Sequence, residues 1–190
     1  MIKFYTNREL AAFLDINLAK WKRWSREFLP PDPLGGLQSG YARQYSSKDA
    51  FKVFLGGYMV SEMKLAVAEA RRILADLGSW LKDNGFYELR ANGKTETVSD
   101  NNPVKEYTIR VCPVEGDPIK PPLFLYRIDG LMERTRIDHG GLSAVKYIFF
   151  ETWLGYETDR KAVESNISDK RIPITRLKDH FLDKIGIKIM

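Results

Sequence analysis

Little in this chain offers the side chains that most catalytic and metal chemistry needs. Among 190 residues cysteine occurs once, at Cys112, and histidine twice, at His139 and His180. A single thiol cannot build an internal disulfide framework, and it suits a reducing compartment. Cys112 reads as a small core or surface residue rather than a redox switch. The three residues show no metal-ligand spacing, so no metal is expected. Glycines pair at Gly35-Gly36, Gly56-Gly57 and Gly140-Gly141, but no Gly-rich phosphate loop follows a strand pattern. Ser39-Gly40 lacks the G-x-S-x-G frame of a nucleophile elbow, and no two carboxylates stand out as acid and base. The expectation is no catalytic residues, no cofactor and no enzyme activity. Apolar runs fall short of the ~20 residues that span a bilayer, and Met1-Ile2-Lys3-Phe4 has no apolar signal core. A cytoplasmic protein with no membrane partner is expected.

What is present is an ordinary globular composition, 44% hydrophobic and 29% charged, with a formal net charge of +5. The excess is uneven. Residues 1–60 hold nine Lys/Arg against five Asp/Glu, a net of +4, while the other 130 residues net +1. A basic excess gathered in one part of a chain fits a polyanionic partner there.

Within that part, Leu18-Ala19-Lys20-Trp21-Lys22-Arg23-Trp24-Ser25-Arg26 contains no acidic residue. Wound as a helix at about 100° per residue, it gathers Leu18, Trp21, Trp24, Ser25 and Phe28 on one arc. Lys20, Lys22, Arg23 and Arg26 fall on the other side. An apolar face that anchors a helix and a cationic face that reaches outward suit a helix lying in a nucleic-acid groove. The plainer alternative is an amphipathic helix whose basic face is merely solvated.

The flanks add to the first reading. Thr6-Asn7-Arg8-Glu9 is a capping box, followed by Leu10, Ala11, Phe13 and Leu14 at helical spacing. Asp15-Ile16-Asn17 then interrupts, with Asn17 a good N-cap for the basic helix. A short helix, a tight turn and a second helix make the helix-turn-helix plan. Downstream, Leu29-Pro30-Pro31-Asp32-Pro33 stops the helix. Gly35 to Tyr45 reads as a short β excursion, and Ser46-Ser47-Lys48-Asp49 as a new helix start. A hairpin in that place is a wing, and Tyr41 and Arg43 are what it would use on phosphate.

In this order, Tyr5-Thr6, Glu9-Leu10-Ala11, Asp15-Ile16-Asn17, Leu29-Pro30-Pro31, Ser39-Gly40-Tyr41 with Arg43 and Tyr45, and Ser46-x-x-Asp49 resemble the winged helix-turn-helix of MerR-type transcription regulators. The resemblance covers about the first 75 residues. It implies a sequence-specific regulator bound to double-stranded DNA as a homodimer, with Asn17, Lys20, Lys22, Arg23, Arg26, Tyr41 and Arg43 as candidate DNA-binding residues. The chain departs from the family at Asp15, where a Gly is usual, at Lys22-Arg23-Trp24, where Arg and two aromatics are usual, and at Ala42, which splits Gly-Tyr-Arg. The clustered cysteines of metal-sensing relatives are missing. Excisionases and small terminase subunits resemble the same winged fold, so an architectural or packaging DNA-binding protein is the alternative. A third reading makes the winged domain an adaptor for a ligand-binding or protein-interaction module.

The rest of the chain is read from pattern alone. A helix from Ser46 to Met59 keeps its spacing through Ala50, Phe51, Phe54, Leu55 and Tyr58, and Gly56-Gly57 should weaken or end it. A further helix runs from Leu65 through Leu74 and on to Leu81, stopped by Asn84-Gly85. Its apolar positions do not sustain the heptads of a coiled-coil dimer seam. After Gly85 the period changes to two. Asn92-Gly93 marks a hairpin, Tyr107, Ile109 and Val111 alternate with Thr108, Arg110 and Cys112, and Leu123–Ile128 with Leu131–Ile137 reads as a hairpin turning at Asp129-Gly130. Val145 to Trp153 is a strand or a buried helix. Thr175 to Ile185 reads as a closing amphipathic helix. The expected fold is therefore α+β, an N-terminal winged helix-turn-helix over 1–85 and a small α+β domain on an antiparallel sheet over 86–190. The second domain has the position of a dimerising or effector domain, but no residue in it identifies a small-molecule effector.

Overall fold

The computed structural model describes residues 4–32, 42–89, 104–114, 123–139, 142–154 and 170–187. It shows an α+β chain with six helices and two antiparallel sheets among those residues. Two compact units divide it. One is Met1–Lys94 with Leu177–Met190, and the other is Thr95–Arg176.

The first unit opens with β1 (Phe4–Thr6), which pairs antiparallel with β2 (Gln44–Ser46) in the register Tyr5↔Tyr45. Helices α1 (Asn7–Phe13) and α2 (Leu18–Phe28) lie between them in sequence, followed by α3 (Ser47–Ser61), α4 (Val67–Asp76) and α5 (Gly78–Asp83). The strand at Phe4–Thr6 was not legible in the sequence, because three residues are too few to show a period.

Helix α3 carries the packing. Its Ser46 hydroxyl accepts from the Asp49 amide at 3.1 Å as an N-cap. The helix runs unbroken through Gly56-Gly57, so the two glycines do not end it. Both are buried. A methyl on Gly56 would stand 2.6 Å from the Phe28 ring, and one on Gly57 would fall inside the Trp24 indole. The two rings, one turn apart on α2, rest directly on the α3 backbone, and that contact offsets the helix propensity given up there.

On another side of α3, Phe51 and Phe54 meet Phe181 with ring centroids 5.3 and 5.5 Å apart. Phe181 belongs to α6 (Ile174–Lys184), the closing helix. From Leu177 onward this helix belongs to the first unit, so residues 86–190 do not form one domain as expected. The 65–81 helix is also two helices, with Leu77 as the cap between α4 and α5.

Lys178, on α6, is buried at 4% exposure. Its Nζ donates to the Gly85 carbonyl at 3.0 Å and lies 5.5 Å from the centre of the Phe86 ring. Burial pushes its pKa below the ordinary lysine value, against the opposing pull of Asp179 and Glu88. A lysine whose folded pKa is lowered stabilises the fold fully only above its unfolded pKa, and that contribution is lost as pH falls through the folded value. Lys178→Met should therefore equal or exceed the wild type in stability at neutral pH, since Glu88 N also donates to Gly85 O at 3.2 Å. Denaturant unfolding across the alkaline range checks this. The wild type should gain on the variant as pH rises toward the free lysine value of about 10.4.

The second unit holds a four-stranded antiparallel sheet in the order β5-β4-β3-β6. The strands are β3 (Val104–Val114), β4 (Leu123–His139), β5 (Leu142–Leu154) and β6 (Lys170–Ile172). The alternation read at 107–112 holds for its apolar half. Ile109 lies opposite Ile128 on one side and Ile172 on the other, all buried, beside buried Tyr107 and Val111. Cys112 is buried too, against Leu125, with Val114 and Trp153 packed on them.

The hairpin expected to turn at Asp129-Gly130 is not formed. Residues 123–139 are one strand, and Gly130 lies between Tyr107 and Phe150 in the ladder. The Phe150 ring covers the space where a Gly130 side chain would stand, 6.0 Å from the Tyr107 ring. An Asp-Gly pair makes a turn only when the chain can fold back there, and here both neighbouring strands offer a longer ladder. Asp129 is needed within the sheet. Its carboxylate accepts from Arg110 at 2.6 Å and Arg127 at 2.9 Å, which directly oppose each other as like charges. Residues 145–153 form strand, not helix. The Asn92-Gly93 hairpin and the Gly140-Gly141 turn lie outside the described residues.

Candidate nucleic-acid interface

The candidate surface is built on α2, and two turns at its ends fix how that helix is presented. At the first, α1 begins with the capping box read from the sequence. The Thr6 amide donates to Glu9 Oε2 at 2.8 Å, and the Glu9 amide donates to Thr6 Oγ1 at 3.3 Å. Helix α1 then ends with Asp15 in the left-handed region at φ 53°. Asp15 N donates to Ala12 O at 3.3 Å and Ile16 N to Ala11 O at 2.9 Å. That is the Schellman pattern, which favours glycine but which aspartate also tolerates. The acid at the turn is thus an alternative solution to the backbone problem that a glycine would solve.

Asn17 then caps α2. Its Oδ1 accepts from the amides of Ala19 at 2.9 Å and Lys20 at 3.3 Å. The oxygen is occupied by the helix, so Asn17 positions the surface rather than serving it as a base-reading acceptor. Asn17→Ala should cost about 1 kcal/mol of stability, measured by chemical unfolding, while Asn17→Asp should recover most of it.

The arcs read from the sequence are the faces observed. Trp21, Trp24, Ser25 and Phe28 are buried, and Lys20, Lys22, Arg23 and Arg26 are exposed. Ser25 hides its hydroxyl by donating to the Lys22 carbonyl at 3.0 Å. Lys20 Nζ lies over the Trp24 ring, 4.8 Å from its centroid, so its ammonium is held near the helix surface.

Two open clefts flank the basic ridge. Lys22 and Arg26 border the first, about 420 Å³, together with Pro30, Arg43 and Tyr45. Lys20 and Arg23 border the second, about 640 Å³, together with Glu62 and Lys64. The four cations read from the sequence therefore divide two and two.

Arg43 is brought beside Lys22 and Arg26, but not as a free arm. It donates to the Pro30 carbonyl at 2.9 Å and lies 5.5 Å from the centre of the Tyr45 ring. Tyr45 in turn meets Trp21 edge-on at 5.9 Å and donates its hydroxyl to Asn7 Oδ1 at 2.7 Å. A chain of contacts from Trp21 through Tyr45 to Arg43 ties β2 to the basic helix. Arg43 thus braces the turn after α2 in addition to lending its charge to the cleft. Tyr41, with most of the β excursion at 35–45, lies outside the described residues.

Lys64, Asn7 and Tyr45 were missed as members of this surface. Lys64 adopts φ 56° and donates to the Ser61 carbonyl beyond the end of α3. Nothing in a local pattern shows that this turn returns to the side of α2. Among the described residues no group of three His, Cys, Asp or Glu is placed to hold a metal ion, and no helix is long and apolar enough to cross a membrane. Comparison of the chain with protein-family models and with curated proteins finds no match.

Proposed function

We propose that the chain is a sequence-specific DNA-binding transcription regulator, with a MerR-like winged helix-turn-helix in which α2 is the recognition helix. The observation that carries this reading is the division of α2 itself. Four cations stand exposed, with no acid among residues 18–26, on a helix anchored through two tryptophans and Phe28. A helix presented this way sets side chains toward base edges, and neighbouring cations toward phosphates. Lys22, Arg26 and Arg43 would hold the backbone on one side of the ridge. Lys20 and Arg23 would act on the other, with Arg23 the residue assigned to a base. The left-handed backbone at Asp15 supports this reading, since it is a conformation that the family's usual glycine would adopt easily.

The test is selection of bound duplexes from a random pool by the purified full-length protein at two salt concentrations. Recovery of a palindromic motif, with retention falling steeply as salt rises, is the expected result. Retention without any motif would replace regulation with the architectural or packaging reading. No retention at low salt would end the DNA assignment.

A further inference from the structure

We infer that Asn7 is a phosphate-binding residue, its side-chain amide oriented by the Tyr45 hydroxyl so that Nδ2 donates to a backbone phosphate of the duplex. The inference rests on the DNA-binding reading and adds to it a neutral donor that no charge pattern marks. Asn7 borders the cleft of about 420 Å³ that Lys22, Arg26 and Arg43 share. Its Oδ1 lies 2.7 Å from the Tyr45 hydroxyl. That is the ordinary length of an O–H···O bond, and shorter than the roughly 2.9–3.0 Å usual for N–H···O. The hydroxyl therefore donates and the amide oxygen accepts. Nδ2, with two protons to give, is the end that remains, and among the described residues it has no hydrogen-bond partner.

The hydroxyl that sets this orientation is itself held. The Tyr45 ring is 1% exposed, meets Trp21 edge-on, and has the Arg43 guanidinium 5.5 Å from its centre. One buried ring thus seats a cation of the cleft and orients its neutral donor. Three cations border the cleft against one acid, Asp32, so the group it favours is an anion. The cations act mainly through charge, on long stems that reach a phosphate from many directions. An amide fixed at its far end is short and accepts few directions, so it suits one phosphate oxygen in one place. Contacts of this kind set the register of a protein on the duplex. A hydrogen bond to a charged acceptor is also among the stronger ones, and a neutral donor makes it without displacing a counterion.

The test measures binding of the full-length wild type, Asn7→Ala, Tyr45→Phe and the two substitutions combined. Each is titrated with a selected duplex and a scrambled one at several salt concentrations. Asn7→Ala should bind both duplexes about tenfold more weakly, as expected for one lost hydrogen bond to a charged acceptor. Its salt slope should not change, because no cation is removed. Tyr45→Phe keeps the ring on Trp21 and Arg43 and should lose part of that tenfold. The combined variant should bind no more weakly than Asn7→Ala, since Tyr45 acts through Asn7. In the wild type, the Asn7 side-chain amide resonances, identified by their absence from the Asn7→Ala spectrum, should shift when duplex is added. Unweakened binding by Asn7→Ala overturns the inference, as does a loss confined to the selected duplex. Additive losses in the combined variant, or amide resonances that stay in place, do the same. If the wild type binds and the Lys22, Arg26 double variant lowers the salt slope, such results remove Asn7 alone. A wild type that retains neither duplex at low salt removes both readings.

Discussion

Gly57→Ala should destabilise the first unit by about 2 kcal/mol and take most of the DNA affinity with it. Alanine normally improves a helix interior over glycine by about 1 kcal/mol, so the sign is the informative part. At Gly57 the added methyl would enter the Trp24 indole. A rigid ring that is itself buried has no flexible end to yield, and overpacking of this kind costs about 1–3 kcal/mol, at times more. The strain is relieved only if α2 moves, and α2 carries the four exposed cations. Gly56→Ala should act in the same direction through Phe28. Gly78→Ala is the control. It has no heavy atom within 4 Å of the new methyl, so it should be neutral or stabilising. Denaturant unfolding of the three variants, with DNA retention measured beside it, checks both halves. If Gly57→Ala unfolds later than wild type, α2 is not seated on α3 as described.

Replacing Lys22 and Arg26 by alanine together should reduce the salt dependence of DNA binding more than replacing Arg23 together with either of them. Each phosphate contact contributes about 0.9 to the slope of log affinity against log salt, so the double variant should lose about 1.8. Its weakening should be alike on every duplex. Arg23→Ala should behave differently. It should lower affinity for the preferred sequence by about 1–3 kcal/mol, relax the preference at one position, and leave the slope less changed. Arg43→Ala should weaken all duplexes alike, both by losing a charge near Lys22 and Arg26 and by freeing the Pro30 carbonyl it now holds. Titrations against a selected duplex and a scrambled one, at several salt concentrations, separate these effects. Unchanged binding to both duplexes by the Arg23 and Arg43 variants would end the assignment of α2.

What was legible in the sequence was whatever a local pattern determines. The Thr6–Glu9 capping box, the Asn17 cap, the two faces of α2 and the buried half of β3 each depend on residues within a turn or two of one another. The errors came where distant parts of the chain decide. Gly56-Gly57 reads as a weak point until the rings of Trp24 and Phe28, some thirty residues away, occupy the space the glycines leave. Asp129-Gly130 reads as a turn until β3 and β5 claim both sides of one long strand. Thr175 to Ile185 was correctly a helix, but its Phe181 packs on Phe51 in a unit that the sequence had already closed. The same limit applied to the surface. The four cations of α2 were visible as one face, while their division between two clefts needed Pro30, Arg43, Glu62 and Lys64 from other segments.

The seat of two aromatic rings on bare glycine backbone has a consequence for recognition. Long aliphatic side chains at such a joint would leave several rotamers to be chosen, and α2 could roll against α3 among them. Rings lying on two residues without side chains leave no such set. Trp24 and Phe28 are fixed when the chain folds, and the direction in which Lys20, Lys22, Arg23 and Arg26 leave the helix is fixed with them. A partner meeting this surface finds its backbone already oriented, and only the outer atoms of four long side chains lose freedom on contact. The entropy of aiming the helix is charged to folding rather than to binding.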